Sequence, residues 1–381
     1  MTVFPDPAII PEIQGLTAMS NNSVYGIILA GGRGERFWPL STAQRPKQFL
    51  RLISDKLMLE ETIERVLPII SKENIRIVAS DSMSDLITKS MKGMKESNIY
   101  GEPSGRNTCL AIGLAAAHLL KTDPKAVMVV LSADHLIRPP EKLRELINAG
   151  VEIAANEDKL LTLGIVPTRP ETAYGYIRLG EVYKQEKSGA VFEVLAFTEK
   201  PKAAVAHEYY FSGGYLWNSG MFIWSAKAIL KAIELCQPTL SKQLSEYAAK
   251  IGTKGEEKAR DELYEKALSI SIDVAVLENA KNVLSIKADI VWDDIGNWNA
   301  LDRYKDHDSE NNVIIGPVIT AQSYETTVYN DTDGLVACLG VSDLVVVRTK
   351  DVTLVVHKTQ TGNIKNLLSL VEQNEDLRKF L

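Results

Sequence analysis

Short apolar runs alternate with amphipathic segments along the first half of the chain. Apolar, β-branched residues predict strands in four places, at residues 24–30, 75–79, 126–132 and 160–165. Helical periodicity lies between and after these strands, at residues 58–67, 82–94, 108–120 and 141–154. Because parallel neighbours are usually joined by a helical crossover, the alternation predicts an α/β fold with a mainly parallel, doubly wound sheet.

The pattern changes twice in the second half. Residues 167–295 mix short strands with charged helices, which is typical of a substrate-binding insertion. Beyond Asn311, short β segments are separated by glycines and Asp-containing turns, so we predict a separate β-rich module. Periodicity leaves two architectures open for this module, a small sandwich or an irregular left-handed β-helix. A terminal helix then carries apolar residues on one face, at Ile364, Leu367, Leu368 and Val371.

These changes define three regions of the chain. Residues 1–23 are polar and interrupted by proline, and they predict a flexible N-terminal arm. We expect a catalytic domain over residues 24–305 and a β-rich module with its terminal helix over residues 311–381. The module is expected to bury surface between subunits or against the catalytic domain, and we expect self-association, most simply in a homodimer.

Composition and charge exclude several classes of protein. The 381 residues are 45% hydrophobic, a globular value, and the net charge is −6. A negative chain lacks long-range attraction for nucleic acid or anionic lipid, so neither is an expected partner. No apolar run approaches the roughly 20 residues of a membrane span, and the N-terminus lacks the pattern of a signal peptide. We therefore expect a cytoplasmic protein.

A glycine-rich loop, AGGRGER (30–36), follows the first predicted strand. Glycines let backbone N–H groups approach an anion closely, so the loop suggests a phosphate site. Two common phosphate motifs do not fit. The dinucleotide fingerprint needs a glycine where Phe37 stands, and the Gly-Lys-Ser/Thr of a Walker loop is missing.

Positive charge is concentrated just after these glycines. Residues 33–47 contain one acidic side chain, Glu35, and four basic ones, Arg33, Arg36, Arg45 and Lys47. A solvated charged turn is the alternative interpretation, but bulky and proline residues would make the loop rigid, namely Trp38, Pro39, Pro46 and Phe49. The segment therefore predicts a site for a polyphosphate.

At this point the sequence resembles a known family. The segments LAGGRGERFWPLS (29–41) and RPKQFL (45–50) resemble the signature of sugar-phosphate nucleotidyltransferases, specifically the mannose-1-phosphate guanylyltransferase branch. Seven further segments agree in order. They are EPSGRNT (102–108), SADHLI (132–137), ETAYGYI (171–177), FTEKP (197–201), YLWNSGMF (215–222), SIDVAVLE (271–278) and WDDIGNW (292–298).

The resemblance implies a fold and a reaction. The fold is a Rossmann-like α/β domain with a doubly wound mixed sheet, followed by a short left-handed β-helix. The reaction transfers GMP from GTP to mannose 1-phosphate and releases pyrophosphate, without a covalent enzyme intermediate. Arg36 and Lys47 would neutralise phosphate charge. The nucleotide-binding positions implied are Ala30, Gly31, Gly32, Gly34, Arg36, Glu102, Pro103, Arg106, Asn107 and Thr108.

Two aspartates are candidates for a metal site. Asp134 and Asp294 each follow a predicted strand, so both would lie at strand ends over one crevice. Carboxylates together with phosphate oxygens suit Mg²⁺, and the resemblance gives both residues this catalytic role. We regard His135 as structural, because the reaction requires no proton relay. Asp293 is expected to cap the following helix or to add negative charge.

The resemblance also implies a sugar-phosphate site. Glu199 would accept hydroxyl protons of the sugar and Lys200 would pair with its phosphate, while Gly175 and Asn218 would complete the pocket. Two other functions stay open: transfer to another hexose or heptose 1-phosphate, and a catalytically silent subunit that senses nucleotide sugars. A fused phosphomannose isomerase is disfavoured, because the five histidines show no metal-ligand spacing.

Overall fold

The computed structural model describes residues 23–381, and its largest feature is a nine-stranded sheet. The predicted arm, residues 1–23, lies outside the described residues except for its last position. Strands of the described range are β1 (Val24–Leu29), β2 (Ile75–Ser80), β3 (Ile99–Glu102), β4 (Val127–Ser132), β5 (Leu136–Arg138), β6 (Leu160–Ile165), β7 (Tyr176–Glu186), β8 (Gly189–Thr198), β9 (Tyr215–Ser225), β10 (Val283–Ala288), β11 (Val291–Asp293), β12 (Val313–Ile315), β13 (Val318–Ala321), β14 (Thr327–Asn330), β15 (Val336–Leu339), β16 (Leu344–Arg348) and β17 (Thr353–His357).

The main sheet has the order β3-β2-β1-β4-β9-β6-β10-β8-β7. Strands β3, β2, β1 and β4 are parallel to one another, and β6 is parallel to β10. Strand β9 lies antiparallel between β4 and β6, and the long β7–β8 hairpin is antiparallel at the far edge. The predicted α/β class is confirmed, but the sheet is mixed and not mainly parallel as the alternation predicted, because β9 and the β7–β8 hairpin pair antiparallel.

Helices cover both faces of this sheet. Their bounds are α1 (Met58–Val66), α2 (Ser84–Ser90), α3 (Asn107–Thr122), α4 (Pro140–Asn156), α5 (Ala203–Ser212), α6 (Ala226–Cys236), α7 (Pro238–Ala248), α8 (Glu256–Lys266), α9 (Ala300–Tyr304) and α10 (Ile364–Gln373). One core packs α1, α2 and α4 against the sheet, and the other packs α3, α6, α7 and α8 against the opposite face. Side chains of a strand alternate between these cores, with Ile28 in one and Ile27 in the other. No helix of residues 23–381 is long and apolar enough to cross a membrane.

A short antiparallel ribbon outside the main sheet positions both candidate metal ligands. Strand β5 pairs with β11, and Leu136 lies opposite Asp293. Asp134 comes two residues before β5, and Asp294 directly follows β11. The ribbon therefore brings together two carboxylates that are far apart in sequence.

The C-terminal module consists of stacked parallel strands. Strands β12, β14 and β16 form one parallel row, and β13 pairs with β15 in a second row. A single parallel bridge between Tyr324 and Ser342 marks a third row. Strand β17 adds antiparallel to β16 and closes the stack. This arrangement is a short β-helix, as the resemblance implied, and it excludes the alternative of a small sandwich.

The module is joined to the catalytic domain by a shared hydrophobic core. Phe37 and Trp38, which directly follow the glycine-rich loop, pack in one cluster with Trp298 of the catalytic domain. Val345 and further buried residues of the module belong to the same cluster. Polar contacts reinforce the junction. The Trp38 Nε1–H donates to the Phe380 carbonyl at 2.8 Å, the Arg45 guanidinium pairs with Asp331 at 3.0 Å, and Lys358 pairs with Asp302 at 2.6 Å.

Candidate active site

Lys47 joins the two candidate metal ligands. Its Nζ donates to the Asp134 carboxylate at 2.6 Å and to the Asp294 backbone carbonyl at 2.7 Å, and the side chain is almost fully buried. Arg36 lines the same cavity, which has a volume of about 400 Å³. The structure thus brings together all four residues that the sequence predicted as catalytic.

Electrostatics keep Asp134 ionised. Burial by itself raises the pKa of this carboxyl, but the opposing charge of Lys47 prevails and holds the pKa below the ordinary aspartate value. The other carboxylate, Asp294, accepts a hydrogen bond from the Tyr174 hydroxyl at 3.0 Å. Two carboxylates in one cavity suit a hard divalent cation such as Mg²⁺.

His135 lies beside these carboxylates in a neutral state. Burial lowers the pKa of its imidazole below the ordinary histidine value, although Asp134 and Asp294 act in the opposite direction. Trp292 Nε1–H donates to its Nδ1 at 3.2 Å, and the two rings meet edge to face. A neutral imidazole whose orientation is fixed by Trp292 agrees with the structural role that we expected for His135.

Asp293 holds the backbone from which Asp294 projects. Its buried carboxylate accepts from the Ile295 N–H at 2.8 Å, from Arg303 at 2.6 and 2.9 Å, and from the Tyr304 hydroxyl at 3.0 Å. Ile295 has φ 44°, a conformation that is costly for a β-branched residue. Asp293 therefore caps the turn after β11 and ties it to α9. It does not cap the following helix as expected, because α9 begins only at Ala300, after Asn299.

Gly34 shapes the glycine-rich loop where it contacts Lys47. Its φ of 67° is left-handed, and an added Cβ would overlap the Cβ of Lys47. The Ser41 hydroxyl donates to the Arg33 carbonyl at 2.8 Å and closes the loop. Within the described range neither Arg33 nor Arg36 forms an ion pair, so both keep their charge for a ligand.

A second cavity, of about 320 Å³, adjoins the first and shares Asp134 with it. Most of the predicted nucleotide-binding residues line this second cavity, namely Ala30, Gly31, Gly32, Glu102, Asn107 and Thr108. Gln48 lines it too, and its amide donates to the Ala30 carbonyl at 2.6 Å. This glutamine was not predicted, although it follows Lys47 directly in RPKQFL.

Glu102 is the buried carboxyl of this second cavity. Burial raises its pKa to about 7, and a hydrogen bond from the Tyr264 hydroxyl at 3.1 Å opposes the rise. One oxygen is thereby engaged with Tyr264, while the other lies 3.0 Å from the position of a Cβ on Gly31. Glu102 thus presents an acceptor beside the glycine-rich loop.

Two predicted nucleotide ligands lie apart from this cavity. Arg106 is directed to the end of α8, where its Nε donates to the Tyr264 carbonyl at 2.6 Å. Pro103 is exposed, and neither residue lines the cavity. Their contact with a base stays a prediction.

The predicted sugar-phosphate residues form a third group. Lys200 pairs with Glu199 at 2.7 Å, and a Cβ on Gly175 would lie 2.5 Å from the other oxygen of Glu199. The side chain of Asn218 accepts a hydrogen bond from the Thr162 hydroxyl at 3.1 Å and donates one to the Asp273 carboxylate at 2.7 Å. Its backbone N–H donates to the Gly175 carbonyl at 2.9 Å. The four predicted positions therefore lie together.

Sequence reasoning missed two residues that connect these groups. Asp273 belongs to the segment SIDVAVLE, and burial with the nearby charge of Glu199 raises its pKa to about 6. Tyr174 precedes Gly175 and reaches Asp294, and it packs against Trp217 and Trp292. Both lie in segments that carried the resemblance, so the signal was present. Their polar atoms could not be assigned without the fold.

Comparison with known families identifies the chain. A model described as nucleotidyl transferase matches residues 25–311, and a model described as MannoseP isomerase/GMP-like beta-helix domain matches residues 316–371. The first match covers well over half of the chain. This protein therefore belongs to the nucleotidyl transferase family, and members of that family generally use a divalent metal.

Its curated relatives point to one branch of that family. A mannose-1-phosphate guanylyltransferase of Escherichia coli K12 is 34% identical over 359 residues, which are 93% of this chain and 74% of the relative. A mannose-1-phosphate guanylyltransferase of Salmonella typhimurium is 35% identical over the same shares of both chains. These relatives agree with the resemblance that the sequence motifs carried.

Solved structures agree on the fold. A crystal structure from Thermus thermophilus, described as a mannose-1-phosphate geranyltransferase, is 35% identical with a TM-score of 0.81 and covers 92% of this chain and 99% of that one. A mannose-6-phosphate isomerase structure from Helicobacter pylori is 24% identical with a TM-score of 0.57, covering 71% of this chain and 99% of that one. The second likeness concerns the fold alone.

Proposed function

We propose that this protein transfers GMP from GTP to α-D-mannose 1-phosphate, giving GDP-mannose and pyrophosphate. The observation that carries the proposal is that Lys47, Asp134 and Asp294 line one cavity, which adjoins a second cavity with the features of a nucleotide site. The names of the curated relatives support the same reaction. The catalytic domain would be residues 24–305, and the β-helix module residues 311–381.

Charge neutralisation and alignment supply most of the chemistry. Nucleotidyl transfer is an in-line displacement at the α-phosphorus, with a sugar-phosphate oxygen attacking and pyrophosphate leaving. Lys47 and Arg36 would stabilise the charge that develops on the phosphate oxygens. Asp134 and Asp294 would hold Mg²⁺, which when bound supplies Lewis-acid stabilisation of the reacting phosphate.

The base would lie in the second cavity. Guanine presents two adjacent donors, N1–H and the N2 amine, and adenine has no donor at either position. Glu102 offers a carboxylate oxygen on that wall, so we infer that it selects guanine. Gly31 and Gly32 leave room for the nucleotide beside the loop, and Asn107 and Thr108 line the opposite side.

The mannose 1-phosphate would lie near Glu199 and Lys200. The Lys200 side chain is mostly exposed and pairs with one carboxylate, so a phosphate can replace that weak contact. Glu199 would accept hydrogen bonds from the sugar hydroxyls. Gly175 and Asn218, whose backbones are hydrogen-bonded to each other, would form the adjoining wall of the sugar pocket. Tyr174 connects this group to Asp294, so both substrates would meet at the metal site.

The transfer reaction is tested by product analysis of the full chain with GTP, mannose 1-phosphate and Mg²⁺. The proposal expects GDP-mannose and pyrophosphate in equal amounts. Asp134→Asn and Asp294→Asn should each lower kcat without a matching rise in KM, because they disturb charge stabilisation in the transition state. Absence of turnover by the wild-type protein would favour a silent sensing subunit.

Steady-state kinetics with each substrate varied in turn distinguishes the role of Arg36 from that of Lys200. Arg36→Ala should raise KM for GTP, and Lys200→Ala should raise KM for mannose 1-phosphate. Each change removes a charge-assisted contact, so we expect about tenfold to a hundredfold. If Lys200→Ala changed only the KM for GTP, the sugar-phosphate site would be misassigned.

We also propose that the protein forms a homodimer through its β-helix module. Several large apolar side chains of the module are exposed, namely Ile319, Tyr324, Leu335 and Leu339. Exposed apolar surface of this kind is typical of contacts between subunits. Light scattering at tens of micromolar should give the mass of a dimer, and a monomeric mass would contradict the proposal.

A further inference from the structure

Lys365, in the first turn of α10, lines the same cavity as Lys47, Asp134 and Asp294. Its Nζ lies 2.9 Å from the Glu35 carboxylate of the glycine-rich loop. Lys365 is far from that loop in sequence and belongs to the C-terminal module. The wall of the cavity is thus built by both parts of the chain.

Packing fixes this lysine in place. Its neighbour Ile364 is buried in the same cluster as Phe37 and Trp38, and Leu368 packs against that cluster one turn later. The hydrogen bond from Trp38 to the Phe380 carbonyl anchors the segment after α10. The helix therefore lies against the glycine-rich loop and holds the Lys365 ammonium at the cavity.

The order of the cavities indicates which phosphate Lys365 faces. Glu102 lines the second cavity, and Asp134 lines both cavities where they adjoin. A triphosphate whose base lies near Glu102 would pass Asp134 and extend its β and γ phosphates into the first cavity, away from the base. Lys365 lines that first cavity, whereas Glu199 and Lys200 do not.

Charge in this cavity favours a strongly anionic group. Its wall carries four cations, Arg33, Arg36, Lys47 and Lys365, against three carboxylates, Glu35, Asp134 and Asp294. Metal bound by Asp134 and Asp294 would offset the charge of these two carboxylates. Lys47 is engaged with Asp134, and Lys365 with Glu35. The Glu35–Lys365 pair is half exposed, and such pairs are weak, so a phosphate can replace the Glu35 carboxylate.

We propose that Lys365 binds the β and γ phosphates of the nucleoside triphosphate, which leave as pyrophosphate, and that Glu35 holds the lysine when these phosphates are absent. The inference rests on the proposed function for the identity of the substrate. It makes the C-terminal module part of the substrate site. Loss of Lys365 should then weaken the binding of GTP and of pyrophosphate but leave the binding of mannose 1-phosphate unchanged.

The test compares Lys365→Met with Lys350→Met, a change at an exposed lysine of the same module. Calorimetric titration with inorganic pyrophosphate and Mg²⁺ should show roughly tenfold weaker binding for Lys365→Met and wild-type binding for Lys350→Met. Lys365→Arg should restore most of the affinity, and Glu35→Gln should tighten binding by releasing the lysine. In kinetics, Lys365→Met should raise KM for GTP but not KM for mannose 1-phosphate.

Equal pyrophosphate affinity in Lys365→Met and wild type would overturn the inference, and so would a rise in KM for mannose 1-phosphate alone. Failure of the proposed function has a different signature, because the wild-type protein would then make no GDP-mannose. Pyrophosphate titration needs no turnover, so it decides the role of Lys365 in either case.

Discussion

Gly34 and Lys47 are in such close contact that the loop admits no side chain at position 34. Gly34→Ala would add a Cβ that overlaps Lys47, in a backbone conformation that costs alanine about 1–2 kcal/mol. We expect a loss of kcat of at least tenfold, because Lys47 must move from Asp134. Gly213→Ala is the matched control, since Gly213 has φ 74° and nothing within 4 Å of its added Cβ. Equal activity losses in the two variants would mean that backbone strain alone is responsible.

Glu102 gives the base site a dependence on pH. Its pKa is raised to about 7, and only the carboxylate form can accept both guanine donors. Protonation as the pH falls through 7 should therefore raise KM for GTP. Glu102→Gln should abolish this dependence and reduce the preference for GTP over ATP by about tenfold or more.

The control for that experiment is Glu96→Gln, at an exposed position shortly before β3. It should retain the pH profile of KM for GTP, which shows that the effect belongs to position 102 and not to the loss of any carboxylate. Titration of the nucleotide phosphates persists in Glu102→Gln, so a wild-type pH profile in that variant would show that the pH dependence comes from the phosphates or another group and not from Glu102.

At the scale of elements, the β5–β11 ribbon and its turn into α9 set the position of Asp294. Asp293→Asn should weaken the contacts with Arg303 and Tyr304 and lower the free energy of unfolding by about 1–3 kcal/mol. Urea denaturation measures this loss. Asp289→Asn, at an exposed position before β11, is the control and should leave the free energy of unfolding unchanged. Equal stability of both variants would show that the contacts of Asp293 do not stabilise the turn into α9.

The elements that sequence patterns predicted best are those with one clear hydrophobic period. Strands β1, β4 and β6 and helices α1, α3 and α4 were predicted within one or two residues. The pattern over 82–94 predicted a longer helix than α2, which ends at Ser90 before Gly93 with φ 76°. Left-handed glycine marks such an end, but sequence alone does not show its φ.

Strands with mixed exposure were harder to predict. The β7–β8 hairpin has both faces partly exposed, so its residues do not alternate cleanly. The pattern over residues 167–295 predicted only short strands, yet β9 covers Tyr215–Ser225 in the middle of the sheet. Its polar residues Asn218 and Ser219 are satisfied by tertiary hydrogen bonds, which no local pattern reveals.

The same limit applies to the candidate site. Motif residues near a glycine-rich loop or a strand end, such as Lys47 and Asp134, could be predicted because local chemistry is informative there. Tyr174 and Asp273 could not, since their roles depend on partners 120 and 55 residues away. Lys365 was missed for the same reason, because only the docking of α10 brings it to the cavity.

At the scale of the whole molecule, the shared core of Phe37, Trp38, Trp298 and Val345 makes the two parts interdependent. We expect calorimetry to show a single cooperative unfolding transition, since separating the parts would expose this apolar surface. Tryptophan fluorescence, to which Trp38 and Trp298 contribute among five tryptophans, should change at the same temperature. Two resolved transitions would show that the module folds independently of the catalytic domain.

The most direct measurement is pyrophosphate release by the wild-type protein with each of four nucleoside triphosphates and a panel of hexose and heptose 1-phosphates. GTP with mannose 1-phosphate should give the highest kcat/KM, because Glu102 matches the donors of guanine and the relatives share this activity. A preference of tenfold or more for ATP or dTTP with glucose 1-phosphate would contradict the guanylyltransferase assignment.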